Sequence, residues 1–130
     1  MLLLELAKRL KDLGLKWEPQ EGDFLYYHTY GEESKLGVIS DSDMGEHREE
    51  SLDNIYTGEW IFAPRLDQLL DEIEKRGYKW DLTNCPLEPL GKYSLTLWID
   101  NGLPNEHFAD SPEEAAAQAL IWILEQEGAN

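Results

Sequence analysis

"RGYKWDL", residues 76–82, decides how the chain divides, because a near copy, "LGLKWEP", stands at residues 13–19. Each copy follows a leucine-rich run with helical spacing. In residues 2–13, Leu3, Leu6, Leu10 and Leu13 share a face, with Lys8, Arg9, Lys11 and Asp12 outside it. In residues 64–76, Leu66, Leu69, Leu70 and Ile73 form the face, Glu74, Lys75 and Arg76 are solvated, and Pro64 suits the first helical position. Gly14 and Gly77 then supply the left-handed residue at which helices stop. Aligned on these glycines, the segments lie 77 − 14 = 63 residues apart, and Leu10 pairs with Ile73, Lys16 with Lys79 and Trp17 with Trp80. The repeated heptad therefore reads as a helix-to-strand corner, which is architecture and not a binding motif.

Each corner is followed by strand-like sequence. "DFLYYHTY" (23–30) alternates Phe24, Tyr26, His28 and Tyr30 against Leu25, Tyr27 and Thr29, and "LGVIS" (36–40) reads as the returning strand. "IYTGEWIFAP" (55–64) adds a short strand before the second helix. The second half continues with "YKWDLT" (78–83), "KYSLTLWID" (92–100) and "EHFAD" (106–110). In the middle one, Tyr93, Leu95, Leu97 and Ile99 face one way and Ser94, Thr96 and Trp98 the other. A closing helix over 111–127 has Ser111 as N-cap, Pro112 at N1 and Glu114 at N3. The order αβββ-αβββ-α predicts an α+β fold in which helices cover one antiparallel sheet or two small ones. Residues 1–130 are expected to form a single domain. It holds pseudo-repeat units at 1–41 and 63–110, joined by the polar, aperiodic loop 41–54.

A length of 130 residues suits one domain with its own core. The formal net charge of −16 opposes direct nucleic-acid binding, whose affinity comes from Lys and Arg displacing counterions, and opposes an anionic membrane surface for the same reason. The second half has the element order of double-stranded-RNA-binding domains, but "SPEEAAAQA" puts acid where such domains need lysine. Cys85 is the only cysteine, which excludes an intrachain disulfide and fits a thiol in a reducing cytoplasm. "MLLLELAKRL" meets charge at Glu5 and reads as neither a signal peptide nor a membrane span.

Catalytic signals are weak. Asp41 and Asp43 open the loop like a calcium site, but Gly45 and Leu52 stand where ligands belong, so no metal is expected. Asp41, Asp43, Glu46, His47, Arg48, Glu49 and Glu50 remain candidates for contact with a partner. His28, His47 and His107 lack metal spacing. No nucleophile elbow, phosphate loop or dinucleotide fingerprint is present, so no enzyme and no cofactor are expected. The aromatic candidates are Trp98, Tyr27 and Tyr30. Trp98 is either core, with Trp122 as its cover, or a platform for a ring or a partner. The burial of tryptophan in small domains favours core. Should a nucleotide-like ligand stack there, its phosphates need cations such as Arg48, Arg65, Lys79 or Lys92.

"WIFAPRLDQLLDEIEKRGYKW", "YSLTLWID" and "FADSPEEAAAQALIWILEQ", within residues 60–127, resemble small uncharacterised phage and prophage proteins of Gram-positive bacteria, of the phage ABA-sandwich domain type. Trp60, Pro64, Trp98, Ser111, Pro112, Glu114 and the alanines of 115–119 carry the likeness. The resemblance implies a sandwich of helices about a sheet and a phage or prophage origin. It supplies no catalytic residues. With the acidity, it leads to the expectation of a non-enzymatic accessory protein in the host cytoplasm that binds a basic protein surface, an anti-defence inhibitor among the options. Sequestration of a nucleotide-like signal and a role in virion assembly are the alternatives.

Overall fold

The structure is a computed structural model, and it describes residues 3–16, 20–27, 35–38, 61–84, 91–99 and 104–128. Its elements run α1 (Leu4–Asp12), β1 (Phe24–Tyr27), β2 (Lys35–Val38), β3 (Ile61–Ala63), α2 (Leu66–Lys75), β4 (Lys79–Asn84), β5 (Tyr93–Trp98), β6 (Pro104–Ala109) and α3 (Pro112–Gly128). The class is α+β, with two antiparallel three-stranded sheets. Two compact units result, one built from residues 1–15 and 65–130, the other from residues 16–64.

The helix stop is the same device twice, but the strand that follows is not. β4 begins at Lys79, just after Gly77. Leu15 and Lys16 are in no strand, β1 begins only at Phe24, and Trp17 lies outside the described residues. Gly14 (φ +91°) and Gly77 (φ +86°) adopt the left-handed conformation that an L side chain resists. Gly14 N–H donates to Lys11 C=O at 3.0 Å, and Leu15 N–H to Leu10 C=O at 3.1 Å. Gly77 N–H donates to Glu74 C=O at 2.9 Å, and Tyr78 N–H to Ile73 C=O at 3.4 Å. Both are Schellman stops, in which two reversed bonds satisfy carbonyls the helix would leave orphaned. Among the described residues the likeness of the halves covers these stops and the element order but not the weave of the strands. The first sheet runs β2-β1-β3 with β1 central, and the second is the meander β4-β5-β6.

In the larger unit, α3 packs on β5 and β6, and α1 and α2 pack on α3. Leu95, Leu97 and Ala109 are buried on the sheet; Ala7, Leu10, Leu69 and Ile73 are buried on α1 and α2. Ala115, Ala116, Ala117, Ala119, Leu120, Ile123 and Leu124 form the buried stripe of α3, which starts after its first turn. Small residues there let helix and sheet backbones approach closely. Glu114 N–H donates to Ser111 Oγ at 3.2 Å, the N-cap read from sequence. The start of α2 differs from expectation: Pro64 precedes the cap, and Arg65 is the N-cap, its N–H donating to Gln68 Oε1 at 2.8 Å. On α1 the buried stripe centres on Ala7 and Leu10, while Leu3, which precedes the helix, is exposed.

The last turn of α3 carries Glu125 and Glu127 and no basic residue, against the helix dipole. Neighbouring helices offset this. Arg9 of α1 donates to Glu125 Oε1 at 3.3 Å, and Arg76, at the stop of α2, lies 3.4 Å from Glu127 Oε1. Arg76 also donates to Glu72 Oε2 at 2.6 Å.

The smaller unit is a three-stranded ribbon. β1 is antiparallel to β2, with Leu25 opposite Gly37, and to β3, with Leu25 opposite Phe62. Leu25, Ile61 and Ala63 are buried. The strand is entered through a turn closed in both directions: Asp23 N–H donates to Gln20 C=O at 3.1 Å, and Gln20 N–H donates to the buried Asp23 Oδ2 at 3.0 Å. Gly22, at φ +88°, permits that turn.

Candidate functional site

The register of the second sheet sorts its side chains. Lys79 stands opposite Trp98, Asp81 opposite Thr96, and Thr83 opposite Ser94. Across the next ladder, Trp98 stands opposite Pro104, Thr96 opposite Glu106, and Ser94 opposite Phe108. Residues facing each other across a ladder share a side of the sheet. Leu82, Leu95, Leu97, Asn105, His107 and Ala109 therefore point to the helices, and the Lys79–Trp98–Pro104 and Asp81–Thr96–Glu106 rows point away. Lys79, Asp81, Trp98, Pro104 and Glu106 are exposed, whereas Ser94, further along the same face, is buried.

Trp98 is 45% exposed, which corrects the expectation that it is core. The physical reason is its position at the end of β5 on the side away from α3. Its expected cover, Trp122, meets Tyr78 instead, edge to face with ring centroids 6.4 Å apart. The Trp98 indole is nonetheless fixed, because its Nε1–H donates to Asp81 Oδ2 at 3.0 Å. A charge-assisted bond of this kind holds the ring's edge and leaves a large part of the residue in solvent.

The remaining candidates fall elsewhere. Arg65 sits at the start of α2, where its Nε–H donates to Asp67 Oδ1 at 3.2 Å. Tyr27 ends β1, and its side chain lies outside the described residues, as do Tyr30, Asp41, Asp43, Glu46, His47, Arg48, Glu49 and Glu50. Of the sequence-derived set the structure thus develops Trp98, and it adds Asp81, Thr96 and Glu106. Thr96 and Glu106 carry no motif, and Asp81 belongs to the repeated heptad that reads as architecture. Only the strand register, which a single sequence does not fix, brings the three beside Trp98.

Two groups on the other side of this sheet have shifted titration or structural roles. His107, half-buried, pairs through Nε2 with Asn105 Oδ1, and burial lowers its pKa. Trp80 donates from Nε1 to Glu74 Oε1 at 3.0 Å, binding β4 to α2. Among the described residues no three His, Cys, Asp or Glu side chains converge as metal ligands, and no helix is long and apolar enough to cross a membrane. No protein-family model matches the chain, and neither a curated protein nor a solved structure matches it.

Proposed function

We propose that the protein acts by binding and not by catalysis, and that its partner is a protein with a basic surface. The observation that carries this reading is the exposed, edge-anchored Trp98 with Asp81 beside it, in a chain of net charge −16. Tryptophan is a common anchor of protein interfaces because it contributes large area at small entropic cost. The acidity favours basic partners and speeds their approach, while it disfavours bare phosphate chains and anionic lipid. The likeness of residues 60–127 to phage and prophage proteins supplies the proposed setting: an accessory protein in the bacterial cytoplasm that engages a host protein, defence systems included.

The test is affinity capture from bacterial lysate at low and high salt, with captured proteins identified and a Trp98→Ala chain as control. Basic proteins that are held at low salt, released at high salt and reduced with the variant support the reading. Partners without basic bias that resist salt overturn it.

One observation favours a second reading, a nucleotide-like ligand stacked on Trp98: Lys79 stands directly opposite Trp98 in the ladder and offers a cation for phosphate. Asp81 and Glu106 oppose it. A thermal-shift and tryptophan-fluorescence screen with nucleotides decides the matter, and a flat response removes this alternative.

A further inference from the structure

The exposed corner of the second sheet has a chemistry that can be read row by row. Strands lie about 4.8 Å apart, and successive residues on one face about 7 Å apart along a strand. Asp81 and Glu106 flank Thr96 from the two edge strands, so their backbones stand roughly 10 Å apart across the sheet. The next row places Trp98 between Lys79 and Pro104. The carboxylate of Asp81 is bonded to the indole N–H, so the negative potential of the carboxylate adds to that of the ring face. The ring is thus tied to Asp81, and Glu106 stands in the row next to it on the same side of the sheet.

We propose that this corner receives one arginine side chain of the protein partner, its guanidinium stacked on the Trp98 ring with its charge between Asp81 and Glu106. The proposal rests on the binding reading above and names its recognition chemistry. Guanidinium suits the site better than ammonium because it is planar, weakly hydrated and able to stack and to donate to two carboxylates together. Thr96, half-buried, stands between Asp81 and Glu106 in the strand register. An anionic ligand meets two carboxylates against one lysine and is disfavoured. Pro104, the first residue of the edge strand β6, has no N–H to offer to an added strand.

The test uses the full chain and an oligoarginine peptide, read by fluorescence anisotropy, with oligocitrulline as the uncharged peptide of the same shape. Wild type is expected to bind oligoarginine and not oligocitrulline. Trp98→Ala leaves the net charge at −16 and is expected to weaken binding roughly two- to fivefold, with Trp98→Phe recovering part of the loss. Glu106→Gln, which leaves the Trp98–Asp81 bond in place, is expected to weaken it roughly twofold or more. Undiminished binding by both Trp98→Ala and Glu106→Gln, each verified as folded by its melting curve, overturns this site while leaving the binding reading standing. Failure of wild type to bind oligoarginine overturns both. Equal binding of oligocitrulline overturns the cationic ligand, and an oligolysine bound more tightly than oligoarginine overturns the stacked guanidinium.

Discussion

Trp80 and Glu74 clasp the corner between α2 and β4: the indole Nε1–H donates to Glu74 Oε1 at 3.0 Å, six residues back along the chain. The tryptophan of the repeated heptad thus closes a fold-back from helix to strand. Trp98, one strand away and on the opposite side of the sheet, uses the same donor on Asp81 yet stays in solvent. Two indoles with the same polar bond have different tasks, and the side of the sheet decides which.

The glycine stops give the first prediction. A Cβ on Gly77 meets nothing within 4 Å, so Gly77→Ala is penalised by its left-handed backbone alone. The expected loss is about 1–2 kcal/mol, read as a lower midpoint in urea with an unchanged slope. Gly14→Ala, equally uncrowded at φ +91°, should behave alike. A neutral effect at either position removes the shared-stop account.

Gly91 should be far less tolerant. Its φ is +151°, and a Cβ there falls 2.7 Å from the backbone N and O of Ala109 in β6. Backbone cannot rotate aside as a side chain can. Gly91→Ala is expected to cost more than about 3 kcal/mol, well above Gly77→Ala, in the same denaturation series. An equal or smaller loss contradicts the close approach.

Core and platform separate in a paired test. Leu97 is fully buried, and Leu97→Ala should cost about 2–5 kcal/mol. Trp98→Ala, one residue on, loses an exposed ring and one hydrogen bond and should cost about 1 kcal/mol. Thermal melting of the two variants checks the ordering. A reversed order would return Trp98 to the core.

His107 makes stability depend on pH with a definite sign. Burial holds its pKa below the ordinary 6.5, so the unfolded chain takes up the proton first as pH falls. The stability present above about pH 6.5 is therefore lost as pH drops toward the depressed folded value. The drop in melting temperature between neutral and mildly acidic pH should be larger for wild type than for His107→Gln. Parallel pH profiles count against it.

Much of the fold was legible because its determinants are local. Gly77, the Leu69 and Ile73 face and the Ser111 cap each specify their element within a few residues, and the structure forms all three. The alternation of Tyr93–Trp98 separated the two sides of β5 correctly. The exposure of Trp98 was not legible, since it depends on which side α3 covers and on Trp122 turning to Tyr78. Strand order was not legible either: β1 pairs with both β2 and β3, and no periodicity within β1 encodes its neighbours. The company of Trp98 follows from register alone. The polar loop 41–54, where most sequence-derived candidates fall, lies outside the described residues.

The bond from Arg9 to Glu125 joins positions 116 residues apart. On a ribosome adding roughly 5–20 residues per second, the first helix emerges on the order of ten seconds before its partner exists. For that interval its apolar stripe, Ala7 and Leu10, waits for α3, the helix on which α1 packs. α1 is thus housed only once α3, made long after it, has been synthesised.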